Sequence, residues 1–212
     1  RSQSAKFDSV RSIVQILINV PFLTSPSGVS NHYLGLKNYF SDKVVYNQYY
    51  SRLYILEITK SKAFRLIIFP MAFIFNYIKF IFLIFHLKRP TILLNPSFGD
   101  AALKRDALYL KIAKYFGCKV EVFIHGWDKL YLDKVFNQTE PFSNIWYKAD
   151  AFLVLAKEFK SYLLQLGIKA PIHLTTTKVN DRLVEGVKSK QIEKIKNILF
   201  LARVEKAKGI FI

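Results

Sequence analysis

The segment Thr91–Asp128, TILLNPSFGDAALKRDALYLKIAKYFGCKVEVFIHGWD, decides the fold. Thr91–Asn95 is a short apolar run of the kind that forms a buried strand, and a Pro-Ser-Phe-Gly-Asp loop follows it. Leu103, Ala107, Leu110 and Ala113 then recur at helical spacing and make one core face. Lys104, Arg105, Lys111 and Lys114 remain for the outside. Gly117 stands where a helix should end, and a second apolar run, Val120–Ile124, stops at His125-Gly126-Trp127-Asp128. Strand, helix, strand at this spacing is a βαβ unit with parallel strands. Ligands of open parallel sheets sit beyond the carboxyl ends of the strands, so Asn95, Ser97 and His125 occupy the expected site.

Upstream, Ile13–Asn19 (IVQILIN) reads as a central strand. Asn19 and Pro21 interrupt the apolar run Ser12–Val20, and no small-residue cleavage site follows, which argues against a signal-peptide core. The loop Pro21–Gly28 feeds a helix over Val29–Phe40, with Ser27 or Ser30 as its cap and Gly28 at a tight turn. Free N–H groups at such a helix start suit an anion, but the loop is not a GxGxxG fingerprint and a dinucleotide cofactor is disfavoured. Lys43–Ser51 has the β-branched and aromatic bias of a strand.

Leu66–Phe85 is nearly all apolar and as long as a membrane span. Pro70, Asn76 and Lys79 interrupt it, and Arg65, Asn76, Lys79 and His86 fall within roughly a quarter-turn of one another on a helix. A narrow polar stripe on a broad apolar helix predicts an element that covers the sheet with its polar edge wet. A membrane-dipping helix and a true span are the other two readings.

Downstream of the central unit come a strand at Ala151–Leu155, a helix at Lys157–Leu166 ended by Gly167, and a short strand within Pro171–Thr177. Lys178–Lys196 is charged and poor in apolar residues, which sets the expected domain boundary, with residues 1–190 before it and 191–212 after. Asn197–Leu201 is a fresh buried strand, followed by ARVEKAKGI.

The bulk properties narrow the class of function. A chain of 212 residues, 51% hydrophobic and 16% aromatic, suffices for one sizeable α/β domain. The net charge of +17 is spread along the chain. It fits a solvated basic surface, an anionic membrane face or a polyanionic ligand. Nucleic acid ranks below these, because no RNA-recognition strand, zinc-finger spacing or basic helix with heptads is present. Cys118 is the only cysteine, so neither an internal disulfide nor a cysteine metal site can form, which fits a reducing compartment. Two residues have open roles. Arg105 either pairs with Asp106 or faces the cleft to hold a negative group, and His125 is either structural or a hydrogen-bonding group for a hydroxyl or carbonyl. Trp127 offers an apolar platform beside it, or core mass.

The succession SGVSNH, NPS with KRDALYL, IHGW, FLVLAKEFKSYLLQLG and NILFLARVEKAKG, in that order between about Ile13 and Gly209, resembles glycosyltransferase family 4. These are retaining sugar transferases with two Rossmann-like domains facing across a cleft, the GT-B fold. The resemblance implies a Rossmann-like, mostly parallel sheet flanked by helices, one half of that architecture. It implies a nucleotide-sugar co-substrate (UDP- or GDP-sugar), a saccharide or lipid-linked acceptor, and no metal or other cofactor. It places Gly28, with Ser30 and Asn31, in the loop near the reacting sugar. Asn95, Ser97, Arg105 and Trp127 join the acceptor side, and His125 touches the transferring sugar. Arg203 and Lys208 match the R-x-x-x-x-K-G element that holds the donor diphosphate, where fixed positive charge stabilises the leaving group. Ala202 stands where the family has glycine. The expectation is a cytoplasmic enzyme of surface polysaccharide or glycolipid synthesis, peripheral on the inner, anionic face of a membrane. On this reading residues 191–212 only begin the donor domain, so the chain alone neither binds donor tightly nor turns over. The alternatives are a non-catalytic α/β module that captures a glycan or polyanion, and a membrane-embedded protein built around Leu66–Phe85.

Overall fold

The computed structural model describes residues 15–25, 27–40, 42–96, 100–126, 132–133 and 143–178. The βαβ unit forms as its pattern predicts: strand β3 (Thr91–Leu94), helix α4 (Asp100–Tyr115) and strand β4 (Val120–Ile124), with β3 and β4 parallel. Before it lie β1 (Ile16–Pro21), α1 (Gly28–Leu36), β2 (Val44–Tyr49), α2 (Arg52–Ile58) and α3 (Lys62–His86). After it come α5 (Ser143–Trp146), β5 (Ala151–Val154), α6 (Lys157–Gln165) and β6 (Ile172–Leu174). The strands make one six-stranded sheet in the order β2-β1-β3-β4-β5-β6, and every pairing is parallel. This is a Rossmann-like α/β fold. The chain divides into the units Arg1–Asp181 and Arg182–Ile212. The second unit lies outside the described residues, as do the strand expected at Asn197–Leu201 and the boundary expected at residue 190.

The sheet has a core on each face. Leu17, Ile92, Leu94, Val120, Val122 and Phe152 pack beneath α3, α4 and α6 through Phe80, Ile84, Leu110, Ala113 and Leu163. On the other face Ile18 and Val20 pack against Tyr33 of α1. The alternation of neighbouring residues between these clusters is the two-residue period of a strand buried on both sides. Helices α4 and α6 end alike: Gly117 and Gly167 take φ of +72° and +84°. Cys118 N–H then donates to Ala113 O, and Ile168 N–H to Leu163 O, closing the last turn as a left-handed glycine allows.

Ser27 is the cap of α1, its Oγ accepting from Ser30 N–H at 3.0 Å. The tight-turn role expected of Gly28 does not hold. Its φ is not positive, and a Cβ there would meet nothing within 4 Å.

Helix α3 corrects the sequence reading in its orientation. Asn76 is 4% exposed; its Oδ1 accepts from Tyr50 N–H at 3.0 Å and its Nδ2 donates to Tyr50 O at 3.2 Å. Lys79 Nζ donates to Gln48 O, and Arg65 Nε to Thr59 O. The polar stripe therefore turns inward for most of its length and satisfies the backbone that leaves β2 and α2. The apolar face turns outward. Phe64, Ile67, Met71, Ile74, Ile78, Phe82 and Phe85 recur at helical spacing and are each 58–64% exposed. A stripe from Phe64 to Phe85 runs about 30 Å along the helix axis.

Candidate functional site

Strand order places the site. The chain crosses from β1 to β2 on one side of β1 and then returns to β3 on the other, so β1 and β3 flank the point where the winding reverses. Crevices at such points, beyond the carboxyl ends of the strands, are where open α/β sheets bind ligands. Asn95 stands there, immediately after β3 and 2% exposed.

Asn95 organises its neighbours through one amide. Its Nδ2 donates to Asn19 O of β1 at 3.0 Å. Its Oδ1 accepts from the Tyr33 hydroxyl of α1 at 2.7 Å and lies 2.8 Å from His125 Nε2, just past β4. The Asn19 carbonyl fixes which end of the amide is which, since the flipped amide would set two acceptors against each other. His125 must then carry its proton on Nε2 and donate, which leaves Nδ1 as an acceptor. Burial, and secondarily the neighbouring His32, push the His125 pKa down to about 3, so the ring is neutral.

His32 closes the cluster. Its ring centroid lies 5.0 Å from that of His125 and 5.5 Å from that of Phe123, both nearly edge-on. Lys178 N–H donates to His32 Nδ1 at 2.9 Å, so a neutral His32 holds its own proton on Nε2. Burial lowers its pKa too. Phe123 sits 3.8 Å from the His125 ring, and Tyr33 6.0 Å. The Tyr33 hydroxyl, raised well above its usual range by burial, stays protonated. The result is a neutral edge that presents hydrogen-bonding groups and aromatic rings together.

The remaining expected site residues divide three ways. Ser30 is fully buried and its hydroxyl is spent on Ser27 Oγ and Phe22 O, so it ties the β1–α1 loop together. Asn31 is exposed one position around the helix, and Gly28 begins α1 beside open space. Arg105 does not join the cluster. Its Nε and Nη2 bond both oxygens of Asp106 at 2.9 and 2.8 Å, and its guanidinium lies 4.3 Å from the Tyr49 ring centroid. Tyr77 and Tyr109, which surround it, belong to the core on the opposite face from Tyr33. The local ion pair is the correct reading, and the outward placement expected for Arg105 is not. Ser97, Trp127, Arg203 and Lys208 lie outside the described residues.

His32 and Tyr33 are the functional candidates that sequence reading passed over. The signal was there: both follow the cap of the helix that starts at the switch point, and helix phase puts them inward while Asn31 points out. Among the described residues no group of three His, Cys, Asp or Glu side chains converges as a metal site. A scan against protein-family models, a search of curated proteins and a search of solved structures each returned no match to this chain.

Proposed function

We propose that this chain is the acceptor-side domain of a retaining, metal-independent glycosyltransferase of GT-B architecture. Its donor is a UDP- or GDP-sugar, and its acceptor a saccharide or lipid-linked saccharide at an anionic membrane face. One observation carries the reading: at the β1/β3 switch point, a neutral set of hydrogen-bonding side chains is interleaved with aromatic rings. A sugar ring needs both, since its hydroxyls donate and accept while its C–H faces lie against aromatic rings. The motif order from SGVSNH to NILFLARVEKAKG supports the same reading.

On this reading His125 Nδ1 accepts from a hydroxyl of the transferring sugar and does not act as a general base, because its pKa is far below neutrality. The bond between the anomeric carbon and the diphosphate breaks, and the acceptor oxygen bonds that carbon from the same face. The acceptor proton leaves on the diphosphate oxygen. Arg203 and Lys208 are the residues assigned to hold the departing charge.

A second reading, a non-catalytic glycan-binding module, is favoured by the same depressed His125, which is too weak a base to take a proton at neutral pH. One assay separates the two. The native gene product is incubated with radiolabelled UDP- and GDP-hexoses and membrane extract, and glycolipid label is counted. Transfer that falls by about 100-fold in His125→Ala and Asn95→Leu, from lost positioning, is the expected result. Glycan binding without any release of nucleoside diphosphate would replace the transferase reading with the module.

A further inference from the structure

A cavity of about 800 Å³ lies between α2, α3 and α4, on the sheet face opposite the histidine cluster. Its size falls in the range of small-molecule sites, about 300–1,000 Å³. The walls are apolar, from Ile55, Phe69, Pro70 and Phe73. Two groups on its lining have unspent hydrogen bonds. Tyr109 is fully buried, yet its hydroxyl has no partner among the described residues, and buried polar groups in native proteins are almost always paired. Arg105 uses Nε and Nη2 on Asp106, which leaves its Nη1 edge. Arg52 stands exposed on the lining, and none of the described lining residues is acidic. Lys60 and Lys62 flank the N-cap of α3 nearby in the chain.

The cavity meets the outward stripe of α3 at Pro70, which neighbours Ile67 and Ile74 at helical spacings of three and four, whereas Phe69 and Phe73 line it from the inward half of the helix. α3 is long and apolar enough to cross a membrane, and only 22% of its most apolar window is buried. Its inward residues Tyr77, Phe80 and Ile84 are nonetheless packed into the sheet core, which suits a helix lying in the interface plane.

We infer that the α2–α3–α4 cavity binds a single-chain anionic amphiphile drawn from the membrane surface that α3 faces. The chain fills the wall of Ile55, Phe69 and Phe73, and the head accepts hydrogen bonds from Tyr109 and Arg105 with Arg52 nearby. This stands whether or not the histidine cluster takes a sugar.

The probe is dodecyl phosphate below its micelle-forming concentration, followed by calorimetry on the chain. One-to-one binding is expected, with dodecyl maltoside (neutral head) and butyl phosphate (no tail) at least tenfold weaker. Tyr109→Phe should weaken dodecyl phosphate several-fold without lowering the melting temperature of the empty protein, because it deletes a hydroxyl with no partner among the described residues. Ala102→Phe, which fills the cavity, should cost at least tenfold while sugar binding at the histidine cluster is unchanged. Presented in phosphatidylcholine vesicles, the probe should still be bound and bring the protein onto them. Four results would each overturn the inference: no binding, equal binding of the maltoside, unchanged affinity in Tyr109→Phe, or protein that takes free probe but ignores the vesicles.

Discussion

His125 is neutral because of where it sits, and that has a measurable consequence for stability. The folded ring takes a proton only near pH 3, whereas an unfolded histidine takes one near its ordinary value of 6.5. Between these pH values the unfolded state binds more protons, so stability rises with pH across that window. Thermal melts should therefore show full stability above about pH 6.5 and a progressive loss toward pH 3, worth up to a few kcal/mol. His125→Gln should flatten the slope, and Asn95→Asp should move it upward in pH by placing a carboxylate against His125 Nε2. A melting profile identical in all three proteins would mean that His125 is not held as described. At this scale the sequence was partly legible. Asn95 and His125 end apolar strands, and a strand end at a parallel sheet's carboxyl edge has one place to go. Arg105 kept two readings, the pair with Asp106 and a place in the cleft, because the tyrosines of three separate elements enclose it, which spacing along one helix does not reveal.

Helix α3 shows what periodicity reveals and what it leaves open. Its length, its cap at Ser61 and the coherence of its polar stripe follow from local rules. Which face turns inward does not, because a polar stripe can satisfy water or a strand end equally well. Here Asn76 reproduces, with one amide, the two hydrogen bonds that the backbone of Tyr50 has no strand partner to supply. The two faces should respond oppositely to substitution. Asn76→Ala should cost about 1–3 kcal/mol of unfolding free energy in denaturant titration, since it takes the partner from two half-buried backbone groups of Tyr50. Ile78→Glu, on the exposed stripe, should stay within about 0.5 kcal/mol of the parent. It should also reduce binding to vesicles of anionic lipid, which in the parent weakens as salt rises. A destabilisation of Ile78→Glu as large as that of Asn76→Ala would show that the stripe is covered by protein and not by lipid.

For the molecule as a whole, the described fold was largely readable. Short apolar runs alternating with helical patterns specify βαβ units, and parallel strands follow from the crossovers. The strand order was not readable, because it depends on which side of β1 each crossover lands, a matter of packing between elements far apart in the chain. That order creates the switch point, and the switch point gathers Asn19, Tyr33, Asn95 and His125 from distant segments into one hydrogen-bonded edge. The proposed function requires that edge to receive a sugar. The most direct measurement is histidine-selective NMR of the chain during titration with a panel of methyl hexosides, UDP-hexoses and GDP-hexoses. The ring signals of His32 and His125 should start in the neutral, Nε2-protonated form and shift saturably with at least one member of the panel, an effect lost in Asn95→Leu. Ring signals unmoved by every sugar would mean that the histidine edge is not a sugar site.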